Sequence, residues 1–261
     1  MSEYDSLQVT REDGVARVRL DSGPYNGLDG GTIDELLHAV TELAEDDDAR
    51  CLALTGSDGT FCTGADLSGF EGDASDAPRL RRLASGLHDV VLQLHQAPKP
   101  VVVGLNGVAA GGGFGLALTG DAVVMSEQAR LEYAYRRIGL TGDGGSTFAL
   151  PRLVGLRRAR EIALLDEPVD PEAAVSMGLV TESVPAERFE QRFHEVASDL
   201  ASGPTAALGA TRRLLAESFE RGPAEAMAAE TDAIANAART EDYARGHAAF
   251  FTEEEPEFTG R

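Results

Sequence analysis

Residues 99–124, KPVVVGLNGVAAGGGFGLALTGDAVV, hold the pattern that decides the fold. The β-branched run at 101–107 predicts a short strand, the glycines after it predict a corner, and the apolar residues that follow predict the start of a helix. The run AVVMS at 122–126 predicts the next strand. Because glycine has no Cβ, a ligand can approach the backbone at such a corner. A helix start also leaves unpaired N–H groups and a partial positive charge, which suit a developing oxyanion.

The segments on either side predict repeated strand–helix units. Apolar spacing predicts strands at 15–20 and 51–56, and helices at 33–43, 78–95, 153–165 and 171–178. Thr32 is expected to cap the first helix, with Glu35 completing a capping box. This alternation predicts an α/β domain with parallel strands over about the first 185 residues. Helical patterns alone follow, broken by Gly203-Pro204 and Gly222-Pro223.

Charge and cysteine content exclude several classes of protein. The formal charge is −21, a field that repels nucleic acid and anionic membranes. No apolar run reaches eighteen residues, so no membrane span is expected. The polar, acidic start of the chain differs from a secretory signal, and the two cysteines, Cys51 and Cys62, lie in apolar contexts outside any CxxC pattern. We therefore expect reduced thiols and a cytoplasmic location.

Motifs for nucleotide, metal and serine chemistry are missing from the sequence. The run GGGFGLAL lacks the third glycine of G-x-G-x-x-G, and no Gly-Lys-Ser/Thr P-loop appears. No HxxxH or HExxH pattern is formed by the five histidines, which are His38, His88, His95, His194 and His247. No GxSxG is present. We therefore expect neither a bound metal nor a cofactor.

Asp143 lies among small residues in GLTGDGGST, residues 139–147. By itself an Asp-Gly pair predicts only a turn. Three segments in order change that interpretation: GTFCTGADLSGF (59–70), the 99–124 stretch, and ARLEYAYRRIGLTGDGGSTFALPRLVG (129–155). Together they resemble the crotonase superfamily, also called the enoyl-CoA hydratase/isomerase family. The likeness covers nearly the whole chain and is specific for the family rather than for one reaction.

The resemblance implies a fold, an assembly and a class of substrate. The fold is α/β, a crotonase-like superhelix of strand–strand–helix turns with a C-terminal all-helical trimerisation segment. We expect a core domain at 1–198 and a helical oligomerisation domain at 199–261. The implied assembly is a homotrimer or a hexamer made of two trimers. The implied substrate is a small-molecule acyl-coenzyme A thioester, which is the reactant and not a cofactor.

The resemblance also assigns residues to the site. Two backbone N–H groups, those of Ala65 and Gly112, are expected to form an oxyanion hole for the thioester oxygen. Losing one such donor typically costs about 2.7–4 kcal/mol of transition-state stabilisation. Contacts with substrate are also expected from the neighbouring positions Gly64, Asp66, Gly111, Gly115 and Leu140.

The chain departs from the family at the residues that activate water. Hydratases of this fold use two glutamates, and Gly115 and Tyr135 stand in their places. Glu132 could approach the cleft only if the local register differed. Asp143 falls where isomerases of the family carry a functional acid. We therefore expect double-bond or ring isomerisation through an enolate, in which Asp143 removes and returns a proton. Tyr135 would line the acyl pocket and hydrogen-bond the substrate, or simply pack.

Two alternatives remain open from the sequence. The same segments resemble aryl-CoA dehalogenases, in which the matching aspartate attacks an aromatic carbon and a histidine activates water. His88 falls at that histidine position, although Tyr135 replaces that branch's tryptophan. The second alternative is a protein that binds acyl-CoA without turning it over, since both glutamates are missing.

Overall fold

The structure, a computed structural model, describes residues 4–261. The strands are β1 Leu7–Glu12, β2 Val15–Leu20, β3 Cys51–Gly56, β4 Thr60–Cys62, β5 Val101–Leu105, β6 Val108–Ala110, β7 Ala122–Ser126, β8 Arg130–Glu132 and β9 Glu182–Val184. They form a larger sheet with the order β1-β2-β3-β5-β7-β9 and a smaller one with the order β4-β6-β8. β1 and β2 pair antiparallel, and the other pairings between these strands are parallel.

Helices follow or connect these strands. Their bounds are α1 Gly30–Glu45, α2 Ala77–Gln96, α3 Gly112–Ala117, α4 Ser146–Leu165, α5 Pro171–Met177, α6 Phe189–Ser202, α7 Thr205–Ala216, α8 Pro223–Ala237 and α9 Glu241–Thr252. Three successive units repeat one order, β3-β4-α2, β5-β6-α3 and β7-β8-α4. The first strand of each unit joins the larger sheet and the second joins the smaller. The predicted α/β superhelix of strand–strand–helix turns is confirmed.

Glycines let successive turns touch backbone to backbone. A Cβ on Gly107 would lie 1.8 Å from the carbonyl oxygen of Gly59, in the preceding turn. Asn106 strengthens the same contact, because its amide donates to the carbonyl of Gly56 at 3.1 Å. The spacing between turns is therefore set at positions that no larger residue can occupy.

The larger sheet is buried on both faces. Alternate residues of β3, β5 and β7 point to opposite sides of a pleated sheet. One set packs with α1, α2 and α3, and the other set packs with α6. Phe193 of α6 lies against β5, where a Cβ on Gly104 would be 2.8 Å from its ring. α6 is therefore part of the core.

The expected domain boundary at 198/199 falls inside α6. This helix continues to Ser202, and Ala201 is still buried against the sheet. Gly203, which follows α6 directly, ends the sheet-packed region. The division into a core domain at 1–198 and a helical domain at 199–261 stays a prediction, and it would cut α6 about one turn before its end.

The C-terminal helices are largely exposed in a single chain. No residue of α8 is buried. Ile234 of this helix is 73% exposed, and Phe250 and Phe251 of α9 are 79% and 71% exposed. These large apolar side chains have no covering element within residues 4–261.

The predicted N-cap of the first helix is wrong. α1 begins at Gly30, and its N-cap is Asp29, whose carboxylate accepts the Thr32 N–H at 2.8 Å. Glu35 does not complete a capping box. It accepts the backbone N–H groups of Asp5 and Ser6 instead, at 3.1 and 2.8 Å, and so ties the N-terminal segment to α1.

Other predicted elements are close to the observed ones. The strands at 15–20 and 51–56 are confirmed. Three-residue strands such as β4 and β8 were not predicted, because such short runs carry no periodicity. α4 begins earlier than expected and breaks at Gly155, whose φ is 74°. Among residues 4–261, no helix is long and apolar enough to cross a membrane.

Lys99, the chain's single lysine, is buried beneath α1. Its Nζ donates to the carbonyl oxygens of Leu43 and Asp46, at 2.9 and 2.6 Å. Burial lowers the pKa of this ammonium group, and the nearby Asp46 and Asp47 oppose that shift. Lys99 therefore caps the C-terminal end of α1.

Arg212 is predicted to dock α7 onto the core. Its guanidinium pairs with Asp121 and donates to the carbonyl oxygens of three residues at the end of α2, which are Leu94, His95 and Ala97. Arg212→Met should lower the free energy of unfolding by about 2–4 kcal/mol, because these buried acceptors lose charged donors. Arg213→Met, at the exposed next position, is the control and should change it little. Equal effects in urea unfolding would contradict this docking role.

Candidate active site

Two unpaired backbone N–H groups lie where β4 and β6 end. Leu28 bonds to both neighbours of Ala65: its carbonyl oxygen accepts the Asp66 N–H at 3.0 Å, and its N–H donates to the Gly64 carbonyl oxygen at 2.8 Å. The N–H of Ala65 is thereby left facing away from Leu28. Gly112 is the first residue of α3, so its N–H has no partner within the helix. Neither N–H donates to any residue in the described range.

Glycines bring these two segments together. Gly64 has a φ of 87°, and a Cβ there would lie 3.0 Å from the Gly112 nitrogen. Gly111, the N-cap of α3, also has a positive φ, 54°. The structure therefore brings together the two segments that carry the predicted positions Gly64, Ala65, Gly111 and Gly112, each segment with one unpaired main-chain donor.

Asp143 is hydrogen-bonded to Tyr135. The phenol of Tyr135 donates to Oδ1 of Asp143, and no described residue donates to Oδ2. Tyr135 is 7% exposed, whereas Asp143 is half-buried. Burial raises the pKa of the Tyr135 phenol, and the negative charge of Asp143 raises it further. Tyr135 is therefore a neutral donor and Asp143 the acceptor of this bond.

The loop that carries Asp143 rests on α3. A Cβ on Gly115 would lie 2.4 Å from the Gly144 carbonyl oxygen, and one on Gly142 would lie 1.8 Å from the Tyr133 hydroxyl. The glycines around Asp143 are thus required by close packing, not only by turn geometry. This packing also means that position 115 has no space for a side chain unless the loop moves.

Glu132 is occupied by arginines. Its carboxylate pairs with Arg130 and Arg137. Burial opposes ionisation of Glu132, but the hydrogen bonds from the two arginines outweigh it and lower its pKa. The carboxylate is therefore charged and already bound, so the register shift that would free it for the cleft does not occur.

His88 is not joined to Asp143. It is exposed on α2, and no hydrogen bond or ion pair links it to the rest of residues 4–261. Its neighbour Leu87 is the residue that reaches the site, where its Cδ2 would lie 2.8 Å from a Cβ on Gly112.

The remaining predicted positions lie at the edge of the site. Leu140 is 39% exposed, and its N–H donates to the Tyr135 carbonyl at 3.0 Å. Asp66 is exposed, and its Oδ1 accepts the Ser68 N–H at 2.9 Å. That bond from Ser68 lowers the pKa of Asp66. The Asp66 carboxylate therefore stabilises the turn from Asp66 to Ser68.

Sequence reasoning missed Tyr133 and Asp166. Tyr133 packs edge-on against Phe114 and Tyr135, with ring centroids 5.7 and 4.9 Å apart. Its place two residues before Tyr135 could have indicated it. Asp166 accepts the Ala134 N–H at 2.7 Å, and no local pattern marks it. In the described part of the chain, no group of three or more His, Cys, Asp or Glu side chains could hold a metal.

Comparisons with known proteins agree with this geometry. The sequence model of the enoyl-CoA hydratase/isomerase family matches residues 10–261. A Rhodobacter capsulatus protein described as a probable enoyl-CoA hydratase is 34% identical, over 99% of each chain. The 1,2-epoxyphenylacetyl-CoA isomerase of Escherichia coli K12 is 34% identical, over 87% of each. A 4-chlorobenzoyl coenzyme A dehalogenase of an Arthrobacter species is 34% identical, over 81% of this chain and 78% of its own.

The fold is likewise found in solved structures. The enoyl-CoA hydratase/isomerase of Cupriavidus metallidurans CH34 matches with a TM-score of 0.91 and 29% identity, over 100% of this chain and 98% of its own. The stacked strand–strand–helix turns define a crotonase-type α/β protein. The chain belongs to the enoyl-CoA hydratase/isomerase family.

The contact between Gly115 and Gly144 predicts a stability effect. Gly115→Ala should lower the free energy of unfolding by about 1–3 kcal/mol, because the new methyl group displaces the Asp143 loop. Gly30→Ala is the control, since a Cβ at this first position of α1 meets nothing within 4 Å. An unchanged urea midpoint for Gly115→Ala would contradict the packing described.

The raised pKa of Tyr135 predicts how stability depends on pH. In the unfolded chain a tyrosine releases its proton near pH 10, whereas folded Tyr135 keeps it. The folded state then binds more protons, so stability is complete below pH ~10 and falls above it by about 1.4 kcal/mol per pH unit. Tyr135→Phe should flatten this fall in urea unfolding, while Tyr25→Phe, at an exposed position, should not. Identical slopes would count against the buried bond.

Proposed function

We propose that the protein is an enoyl-CoA isomerase, which moves a carbon–carbon double bond within a coenzyme A thioester. Removal of a proton from the acyl chain places negative charge on the thioester oxygen. The N–H groups of Ala65 and Gly112 would stabilise that charge in the enolate. Asp143 would take the proton from one carbon and return it to another, so no water is consumed and no group is transferred.

The observation that carries this proposal is that, of the two carboxylates considered for the acid–base step, Asp143 and Glu132, only Asp143 has an oxygen without a hydrogen-bond partner among the described residues. Asp143 is hydrogen-bonded to Tyr135 through Oδ1, and no described residue donates to its Oδ2. Position 115 has no space for a second acid, and Glu132 is held by two arginines. Isomerisation needs a single group that removes and returns a proton. The arrangement favours it over hydration by two glutamates.

Tyr135 supports the same chemistry. Its neutral phenol, hydrogen-bonded to Oδ1, fixes the carboxylate with Oδ2 as the proton acceptor. The phenol cannot itself serve as a base, because burial and Asp143 raise its pKa. The similarity to a 1,2-epoxyphenylacetyl-CoA isomerase also supports an isomerisation reaction on a thioester substrate.

We also propose that the enzyme works as a trimer or as a hexamer of two trimers. The apolar surfaces of α8 and α9, exposed in one chain, support contact with further copies.

Dehalogenation of an aryl-CoA is the second candidate. In that reaction Oδ2 of Asp143 would attack the ring carbon and release the halide, and water would then cleave the aryl ester. The Arthrobacter relative favours it. His88, expected to activate the water, is exposed and makes no hydrogen bond to Asp143, which ranks this candidate below isomerisation.

The proposal predicts that Asp143 is essential for proton exchange. With a panel of enoyl- and aryl-CoA thioesters in deuterated water, the wild type should exchange hydrogen at the α and γ carbons. Asp143→Asn should reduce this rate by at least about 100-fold, because the amide cannot accept the proton. Asp199→Asn, an exposed change on α6, is the matched control and should keep the full rate.

Other outcomes would redirect the assignment. Chloride release from 4-chlorobenzoyl-CoA would support dehalogenation. Water addition that persists in Asp143→Asn would indicate an unusual hydratase. Binding of every thioester without turnover would indicate a non-catalytic acyl-CoA protein.

A further inference from the structure

We propose that Arg137, held between Glu132 and Asp166, is a positioning residue that sets Tyr135 against Asp143 and holds the oxyanion corner in register with them. We call these three side chains the arginine clamp. The inference rests on the proposed function in one respect, that the Tyr135–Asp143 pair carries the acid–base step. None of the three clamp residues is expected to touch the substrate.

The clamp is a carboxylate–arginine–carboxylate chain in which the two carboxylates are buried and the arginine is partly exposed. The Arg137 guanidinium pairs through Nη1 with Glu132, and its Nε donates to Oδ2 of Asp166 at 3.1 Å. Its Nη2 also lies 3.4 Å from the Asp166 carbonyl oxygen. The side chains of Glu132 and Asp166 are only 8% and 3% exposed. One cation therefore joins two buried carboxylates. Removing it leaves Asp166 without a charged partner in the described part of the chain and Glu132 with Arg130 alone.

One end of the clamp controls the backbone before Tyr135. The Asp166 carboxylate accepts the Ala134 N–H at 2.7 Å. Ala134 has a φ of 65°, in the left-handed region that a residue with a Cβ seldom adopts. A strained residue of this kind persists only where its surroundings hold it. Because Ala134 directly precedes Tyr135, its conformation sets the direction in which the phenol leaves the chain.

The other end of the clamp reaches the oxyanion corner. The backbone carbonyl of Glu132 accepts the Gly111 N–H at 3.2 Å, and Glu132 pairs with Ala110 where β8 meets β6. Gly111 directly precedes Gly112, whose N–H is one of the two proposed donors. The clamp thus joins the segment carrying Gly112 to the segment carrying Tyr135. An acid–base pair and an oxyanion hole must keep one relative position, because displacement by about 1 Å can cost about 100-fold in rate.

Arg136 provides a matched control beside Arg137. It lies on the same turn and binds the same end of α4, donating to the carbonyl oxygens of Leu164 and Leu165 at 3.0 and 3.1 Å. It contacts neither Glu132 nor Asp166. A role that merely anchors this turn to α4 would therefore be shared by both arginines, whereas positioning through the clamp belongs to Arg137.

The test compares Arg137→Met with Arg136→Met in the full-length protein by two readouts. The first is the ¹³Cζ resonance of Tyr135 among the five tyrosines, assigned with Tyr135→Phe. It should shift in Arg137→Met toward its position in Asp143→Asn, and stay unchanged in Arg136→Met. The second is turnover of the best thioester, for which Arg137→Met should lower kcat about 10- to 100-fold with KM within about twofold.

Conservative variants cover the case in which Arg137→Met does not fold. Asp166→Asn keeps an acceptor for the Ala134 N–H, so it should retain more of the Tyr135 signal and of kcat than Asp166→Ala. Equal losses in these two variants, or equal effects of Arg136→Met and Arg137→Met, would overturn the clamp. If the wild type turned over no thioester, the proposed function would be contradicted. The clamp would still be tested, because the Tyr135 resonance does not depend on turnover.

Discussion

Contact between backbones at glycine positions is the constraint on which the rest of this structure depends. A side chain at Gly107 would overlap the turn at Gly59, one at Gly113 would lie 2.1 Å from the Cys62 carbonyl, and one at Gly115 would lie 2.4 Å from that of Gly144. Successive turns stack at a separation that only main chain can fill. The corner at Gly111 and Gly112 and the Asp143 loop are placed by the same contacts. Fold and site therefore share one geometric origin.

Because the proposed site is built from backbone, a protein of formal charge −21 could still stabilise a negatively charged thioester oxygen. The two proposed donors are backbone amides, whose dipoles do not depend on the surrounding surface charge. The arginines near the site are turned instead toward Glu132 and Asp166. Local carboxylates are thereby neutralised, and Asp143 remains as the free acid beside Tyr135. In the proposed reaction, main-chain N–H groups bind the thioester oxygen and one side chain moves the proton.

Much of the fold could be predicted from local pattern, and the exceptions have physical causes. The buried strands at 51–56 and 101–105 are continuous apolar runs, so periodicity finds them. β4 and β8 exist only because they pair with β6, a long-range contact that short sequences do not encode. Asp29 rather than Thr32 caps α1: both residue types can cap a helix, aspartate somewhat better, and the helix begins at Gly30, directly after Asp29.

The site was predicted in part. Glycines and a resemblance to a family marked the segments that carry Ala65, Gly112, Tyr135 and Asp143, so these candidate residues could be named from the sequence. The clamp was not visible, because Asp166 approaches Ala134 across thirty-two positions of sequence. His88 was suggested for the site by the resemblance to aryl-CoA dehalogenases, but in the structure it is exposed on α2.

The burial of Lys99 has a chemical consequence if the substrate is a thioester, as proposed. An activated acyl group passes readily to an accessible amine, and side-chain amines on most proteins are abundant targets. Here the single lysine is enclosed, and its nitrogen is engaged by two carbonyl oxygens at the end of α1. Arginine supplies the remaining cations and is a far weaker nucleophile because it stays protonated. The surface is thereby protected from acylation by the very compounds that the protein is proposed to process.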